Sequence, residues 1–511
     1  MNAKASHSMK IRILTSILAL LALVPASAQW KYDRIMRRNF WNDGVNIAGI
    51  RCADTASISL AGIYASYEAG DYRTISQSRD QWALGAQAKS VRHLQNYSMK
   101  GSFSFNNTEA SEMSGSMFLD PGFFPVNVYE FTPGRKTFQT YSMDGGIAVE
   151  LNSAWTIGTG LDFTARNVAK RKDLRYSTYR LDLGVSPSAV YSTENYKFGL
   201  ALLYGRNTET ISAEQTGTTA VAPFAFFDEG LALGNWQVWT GNGSRLKESG
   251  VNGLPVKQDH LGGALQFSTA DGSIYADASF KWLRGSIGER QVIWYRYNGP
   301  QTDARLAYRH GNSAFRANLS WNRLDNRETV QDKVVEGGIS IVHEYGSNLI
   351  YSSSAFNMGL EYDYTADDFS AIVSAGLSDS RQQSTPIYPY VYTRQLKGVR
   401  LGVQSYYRHR RMEYGLGIIW ADATATDGSR TVAATGSSTV VATGSTTTPF
   451  RHDDVWSDAC RFQVAGHLDP NISVSWNFSR KLYAVLRGNC SYSADYEKIR
   501  YNITTGLNYI F

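Results

Sequence analysis

The chain has 511 residues, 51 Lys and Arg against 45 Asp and Glu, and a formal net charge of +6. A surplus this small, with both signs scattered along the chain, gives no case for nucleic-acid binding, which needs a basic stripe or patch. Aromatic residues are abundant (31 Tyr, 22 Phe, 12 Trp), with 45 Gly and only 12 Pro, yet mean hydropathy is negative. That balance is expected where half of every strand faces water and aromatic girdles mark two interfaces.

Lys10 and Arg12 precede an apolar run from Ile13 to Val24 and then Pro25-Ala26-Ser27-Ala28. A basic start, a short apolar core and an Ala-x-Ala site make residues 1–28 a secretory signal peptide, too short in its core for a spanning helix. No cysteine lies at the cleavage point, which disfavours lipidation. Downstream, no stretch approaches the roughly 18 apolar residues of a membrane helix. The remaining membrane-spanning option is a closed barrel, in which every backbone polar group finds its partner inside the sheet. Three cysteines, Cys52, Cys460 and Cys490, cannot complete a disulfide framework and read as unpaired small residues.

Residues 29–56 lack strand alternation and are aromatic and basic, with Trp30, Tyr32, Arg34, Arg37, Arg38, Phe40 and Trp41. They continue into Asn46-Ile-Ala-Gly-Ile50, which resembles the Asn-Pro-Ala-Gly-Leu segment near the N-terminus of fatty-acid-channel-type outer-membrane proteins, with Ile47 in place of the proline. The resemblance implies a hatch folded into a barrel. A periplasmic lead-in to the first strand is the other reading of this segment.

From Ser57 onward apolar and polar residues alternate in run after run, the period of a strand with two different faces. The outward sets begin Ile58/Leu60/Tyr64, Trp82/Leu84/Ala86 and Tyr97/Met99/Phe103/Phe105. They run on through Tyr141/Met143/Ile147/Val149/Leu151, Phe315/Leu319/Trp321 and Met412/Tyr414/Leu416/Ile418/Trp420 to Phe462/Val464 and Leu482/Leu486/Tyr492. In the closing stretch Ile499, Tyr501, Ile503, Thr505, Leu507, Tyr509 and Phe511 alternate with Arg500, Asn502, Thr504, Gly506 and Asn508. The count is about eighteen strands, within a range of about 14 to 20. The Tyr509/Phe511 ending resembles the terminal strand of bacterial outer-membrane barrels, which implies a signal read by the barrel-assembly machinery.

Short polar turns at 152–153, 192–195, 270–272, 310–313, 365–368, 407–411 and 479–481 take turns with long segments at 106–137, 207–257, 324–351 and 422–457. Intermediate segments at 166–178, 285–303 and 378–397 fall in the same alternate slots. This is the arrangement of an outer-membrane barrel, with short periplasmic turns and long extracellular loops; an even strand count then places both termini in the periplasm. Met117–Phe131, and Val221–Phe227 with Trp236 and Trp239, are apolar and are expected to pack on the barrel mouth or fold inward. The Thr/Ser/Ala/Gly-rich stretch 422–448 repeats Ala434-Thr-Gly-Ser-Ser-Thr439 as Ala442-Thr-Gly-Ser-Thr-Thr447 and reads as a surface excursion without chemistry.

Asn46–Ile50, Glu68-Ala-Gly-Asp-Tyr-Arg73, Asp120-Pro-Gly-Phe-Phe-Pro125 and the final Phe511 together resemble the Bacteroidetes outer-membrane barrel proteins of unknown function grouped as domain of unknown function 6850. The resemblance covers nearly the whole mature chain and implies no known activity.

The complementary face carries Asp144, Glu150, Asp162, Arg166, Arg180, Asp182, Asp277, Lys281, Arg305, Arg309, Arg316, Glu361, Asp363, Arg400, Glu413, Arg487 and Arg500. Arg or Lys facing lipid near the midplane would cost roughly 2–4 kcal/mol, so this face is the lumen. Rings of one sign would make an ion-selective pore, but these are mixed. They read either as a network of salt bridges bracing the wall or as a polar pathway for a small solute. A surface hydrolase would need a base with an orienting carboxylate, for which His467-Leu-Asp469 and His452-Asp-Asp454 are the candidates. Both lie in loop-rich sequence, where such residues are usually solvated. No zinc spacing, phosphate-cradling glycine loop or calcium loop occurs, so no cofactor, metal or catalytic residue is expected.

The sequence thus predicts an all-β protein: a transmembrane antiparallel barrel over 57–511 in the outer membrane of a Gram-negative bacterium, in contact with its lipid and lipopolysaccharide. At this strand number wall side chains alone do not fill the interior, so inward-folded loops or the N-terminal segment are expected there. The leading function is passage of a small or amphipathic solute, with no enzymatic activity. A surface structural, adhesion or complex-subunit barrel with a plugged lumen is the alternative, and a surface hydrolase comes last.

Overall fold

A computed structural model describes residues 32, 35–37, 39–53, 57–172, 174–214, 224–238, 254–289, 292–337, 339–386, 391–427, 452–479 and 481–511. The predicted signal peptide and the repeats at 434–447 lie outside the described residues. Twenty strands form one antiparallel sheet. They are β1 (Ile58–Gly70), β2 (Asp80–His93), β3 (Tyr97–Ser116), β4 (Asn127–Glu150), β5 (Trp155–Lys170), β6 (Arg175–Ser192), β7 (Tyr196–Glu214), β8 (Phe224–Asp228), β9 (Gly234–Val238) and β10 (Leu254–Thr269). The second half comprises β11 (Ile274–Glu289), β12 (Val292–His310), β13 (Ser313–Glu336), β14 (Ile339–Thr365), β15 (Phe369–Ser384), β16 (Tyr392–His409), β17 (Met412–Asp427), β18 (His467–Asn477), β19 (Leu482–Ser493) and β20 (Lys498–Ile510).

Eighteen of these strands close a barrel. The closing strand pairs with the first from Leu60↔Ile510 to Gly70↔Arg500, so no edge is left. Closure is a physical requirement, because hydrocarbon offers an open edge no hydrogen-bond partners. The other two strands, β8 and β9, form a hairpin that leaves the wall: β7 pairs directly with β10, and β8 pairs instead with Asn127–Tyr129 at the far end of β4. The short turns at 94–96, 151–154, 311–312 and 410–411 share one end of the barrel with the first residues of β1 and the last of β20. At that end Gly311 has φ +56° in a two-residue turn, a conformation a side chain would strain.

Three expectations need correction. The outward set assigned to the first strand is inverted: Ala61, Ile63 and Tyr67 share a face with Tyr509, Leu507 and Ile503, and Ile63 is 62% exposed while Leu60 is 0%. Ile58 and Leu60 point inward, against Tyr32, Met36, Val91 and Tyr483. Phe462 and Val464 belong to a helix, α1 (His452–Val464), and the wall strand attributed to them is β18. Two apolar residues cannot separate a period of 2 from one of 3.6, and Pro470 hides β18 from a strand reading.

Most of the described residues of the intermediate loops at 166–178, 285–303 and 378–397, and of the long ones, are strand. β13 and β14 run for 24 and 27 residues, far beyond the roughly 9–11 that cross a bilayer. Above the lipid both strand faces meet water, so alternation fades although the ladder still pairs every backbone group.

Candidate functional site

The barrel interior is occupied from both ends. At the short-turn end, residues 39–53 fold into two 3-10 turns, Phe40–Asp43 and Ile47–Cys52, lying against the inner wall. Asn39 caps the first turn by accepting a hydrogen bond from the Trp41 amide at 3.0 Å. Phe40 and Trp41 are buried with Val190, Tyr275, Ala307 and Ala314. The Trp41 ring stands edge-on to Tyr275 at 5.3 Å, and its Nε1 donates to Ser268 Oγ at 3.0 Å. Asn46 Nδ2 is shared among the carbonyls of Ala189 (3.1 Å) and Leu200 (3.3 Å) and Gln266 Oε1 (2.9 Å). Inward-facing glycines make room for this turn: a Cβ on Gly146 would lie 2.3 Å from Ile47 Cγ1, and one on Gly158 would lie 2.8 Å from Ile47 Cγ2.

Wall cations hold the segment by its backbone. Arg309 and Arg316 both donate to the Arg37 carbonyl, at 3.1 and 3.0 Å, Lys100 donates to the Asn42 carbonyl at 2.8 Å, and Lys197 to the Cys52 carbonyl at 3.4 Å. The Arg37 guanidinium in turn meets Glu361 at 3.1 Å and Asp363 at 3.9 Å, carboxylates that also pair with Arg316 at 2.7 and 3.3 Å. Arg51 bonds the Leu94 carbonyl at 3.0 Å and pairs with Glu150.

At the opposite end, 117–131 and the β8–β9 hairpin build an apolar cap. Met117, Phe124, Val126, Val128 and Phe227 pack with Ile211, Leu254, Val256, Tyr295 and Tyr297 of the wall. Both apolar segments predicted to pack at the mouth contribute here; Val221–Pro223 and Trp239 lie outside the described residues. Polar contacts fix the cap's inner surface. Glu209 accepts from the Leu119 amide at 2.8 Å, Asp120 pairs with Arg180 at 3.0 Å and also with Arg166, and Arg180 sits 3.8 Å over the Phe123 ring.

Between and around these two segments three cavities follow one another. One of about 1070 Å³ reaches from the short-turn end along Tyr32, Arg37, Lys89, Glu413 and Arg487 to Lys100 and Asp144. Those last two also border a second, of about 440 Å³, with Asp162, Asp182 and His260. Val45 and Lys281 then separate the second from a third of about 670 Å³, lined by Asp303, Arg305, Arg400 and His467.

The polar residues singled out from the sequence are accordingly distributed among different tasks. Arg309, Arg316, Glu361 and Asp363 grip the N-terminal segment; Arg166 and Arg180 meet the cap, with Asp182 bonded to Arg180 at 2.9 Å and bordering the second cavity; Asp277 and Arg305 pair across β11 and β12 at 2.5 Å. Asp144, Asp162, Lys281, Arg400, Glu413 and Arg487 line the cavities. Arg500 pairs with Glu68 and donates to the Ser78 carbonyl at 2.9 Å. Tyr509 and Phe511 lie stacked on the outer face, their rings 5.8 Å apart. Lys89 and Lys100 were missed, although each lies at the parity opposite to its strand's outward set, Trp82/Leu84 for Lys89 and Tyr97/Met99 for Lys100, and so carries the inward signal. Asp120, Glu130 and Glu209 sit where no outward set marks the parity.

His467 and Asp469 stand 3.7 Å apart on the inner face of β18, while the side chains of His452, Asp453 and Asp454 lie outside the described residues. Among the described residues no group of three metal-ligating side chains occurs. Cys52, Cys460 and Cys490 are all free thiols. Burial pushes the Cys52 thiol up to about 11, against the opposing pull of Lys197 and Arg51. In a Cys460→Ser/Cys490→Ser background, Cys52 is therefore expected to alkylate at pH 8 about 100-fold more slowly than a free thiol, since the thiolate is the nucleophile. A rate equal to that of a free thiol would show that residues 47–52 are not packed in the barrel.

The fold is similar to that of several solved structures at low identity. The FrpB iron transporter from Neisseria meningitidis (F3-3 variant) is 9% identical over 88% of this chain and 81% of its own, with a TM-score of 0.41. The copper transporter OprC is 8% identical over 89% and 80%, with a TM-score of 0.43. The outer-membrane expressed OmpT of Vibrio cholerae is 10% identical over 82% and 100%, with a TM-score of 0.33. No curated protein matches the sequence. Over residues 48–511, the entire barrel together with the Asn46–Ile50 turn from Ala48 on, the chain matches the family of unknown function DUF6850, and it belongs to that family.

Proposed function

We propose that this outer-membrane barrel is a channel or transporter for a small polar or amphipathic solute, with the short-turn end in the periplasm and residues 39–53 serving as a hatch. The observation that carries this reading is the succession of three charged cavities that pass beside the N-terminal segment, sharing Lys100 and Asp144, then Val45 and Lys281, as common walls. A purely structural barrel has no need of an interior that stays hollow and polar beside its own filling. Mixed signs along the cavities favour an uncharged or dipolar solute over an ion of one sign. The role is passage, and we assign no enzymatic activity to the His467/Asp469 pair.

Reconstituted in planar bilayers, the protein is expected to show small discrete conductance steps. Arg37→Ala removes the contacts to Glu361 and Asp363 and should enlarge or lengthen those steps several-fold. The second reading, a plugged structural barrel, draws on the hydrogen bonds that tie both inserted segments to the wall. Silence from the wild type and from Arg37→Ala alike would favour it and end the channel proposal.

A further inference from the structure

On the outer surface of β13 to β16 the side chains change character just above the lipid-facing belt. Trp321 and Leu377, 42% and 57% exposed, end the apolar rows of β13 and β15. Two residues beyond Trp321 and four beyond Leu377, one cross-strand row reads Arg323, Ser354, Arg381 and Gln395. The small serines Ser352 and Ser354 let the surface sink between their neighbours, leaving a hollow of about 500 Å³ bordered by Arg323 and Arg381, with Gln383 and Thr393 at its edge.

We propose that this hollow binds the phosphorylated headgroup of a glycolipid in the outer leaflet. Arg323 and Arg381 flank Ser354 from the adjacent strands, about 10 Å apart at two strand spacings, so both guanidinium groups can converge on one phosphate over a side chain too short to obstruct them. Each arginine has an acidic neighbour: Arg323 bonds Asp325 at 3.1 and 3.2 Å, and Arg381 stands 3.7 Å from Asp379. Exposed pairs of this kind are worth at most about 1 kcal/mol, and the Asp325 pair uses only two of the five guanidinium N–H donors. A phosphate that accepts bidentately from arginine can therefore compete. Serine, threonine and glutamine beside the arginines suit sugar hydroxyls. Height selects the source: the hollow opens directly above the Trp321 and Leu377 rows, where a lipid headgroup meets its acyl chains and where tryptophan accumulates in membrane proteins. A free soluble anion would gain nothing from that apolar surface.

The test uses the full-length protein in detergent, titrated with phosphorylated lipid A, with retained lipid counted by native mass spectrometry. Arg323→Gln/Arg381→Gln is expected to weaken retention at least tenfold while the barrel keeps its heat-modifiable migration on gels. Arg408→Gln removes another arginine, paired with Asp368 at the short-turn end, and should retain lipid A as the wild type does. Dephosphorylated lipid A should bind no better than to the double variant. The proposal is overturned if the double variant retains lipid A like the wild type, if Arg408→Gln loses as much, or if phosphatidylglycerol binds as tightly as lipid A.

Discussion

Glu130→Ala is expected to destabilise the long-strand end of the barrel by about 3–5 kcal/mol, the cost of leaving buried charge without its partner. Glu130 and Lys136 are each 1% exposed and the Lys170 side chain is fully buried, so water cannot replace the lost carboxylate. Its oxygens lie 2.5 Å from Lys170 Nζ and 3.5 Å from Lys136 Nζ. Both ammonium groups keep carbonyl acceptors, Thr132 at 2.6 Å for Lys170 and Ser114 at 3.0 Å for Lys136, but carbonyls supply no countercharge. The strands concerned, β4 and β5, also carry the base of the cap through the β4–β8 pairing. Urea unfolding in detergent micelles measures the loss, and Glu130→Ala/Lys136→Met should be less destabilised than Glu130→Ala alone, because a buried charge has gone together with the carboxylate it faced. A single variant within about 0.5 kcal/mol of the wild type would show that water or a compensating shift reaches the cluster.

The wall was legible where its two faces meet different solvents. Along β4, Tyr141, Met143 and Ile147 face lipid while Asp144 lines the cavities and Glu150 pairs with Arg51 of the inserted segment, and no other environment enforces that alternation so strictly. Legibility failed where this contrast disappears. On β1 the inward Leu60 has an apolar partner in the N-terminal segment and the outward Ala61 and Ala65 are small, so both faces read alike and the parity came out inverted. Above the membrane both faces of β13 and β14 are wet, and the strands merged into predicted loops.

The interior was half legible for a related reason. Parity tells which way a side chain points and nothing about what it meets. Arg316, Glu361 and Asp363 could be placed in the lumen from their own strands, yet their common partner is Arg37, more than 270 residues away in a segment without any period. Glu209 likewise points inward beyond the lipid belt of β7, and its partner, the Leu119 amide, belongs to a loop whose course only the fold determines. The charges that looked like one bracing network therefore divide into anchors for two inserted segments and a remainder that lines open space.

That division makes the glycines of β4 and β5 the sharpest test of the hatch. Gly146→Ala/Gly158→Ala is expected to lift residues 46–52 off the wall, because the new methyl groups would meet Ile47 at 2.3 and 2.8 Å, closer than side-chain carbons approach. Overpacking of this kind costs about 1–3 kcal/mol per site, which shifts a docked population by roughly 5- to 150-fold at each position. Two readouts should move together: Cys52, two residues beyond Ile50 in the same turn, should alkylate faster by at least tenfold, and bilayer conductance should rise. The same methyl groups also crowd backbone oxygens of the wall, Thr159 O at 2.8 Å and Ile147 O at 2.9 Å, so the variant alone could act through a distorted barrel. Ile47→Gly separates the two causes. Added to the double variant, it removes the colliding side chain, leaving the Ala48 amide nitrogen 2.9 Å from the Gly158 methyl as the segment's remaining close contact, and should return the thiol rate and the conductance part of the way toward wild type, whereas wall distortion would persist unchanged. Failure of that rescue would mean that the glycines serve the curvature of the sheet, and that the fit of Ile47 against them has no part in gating.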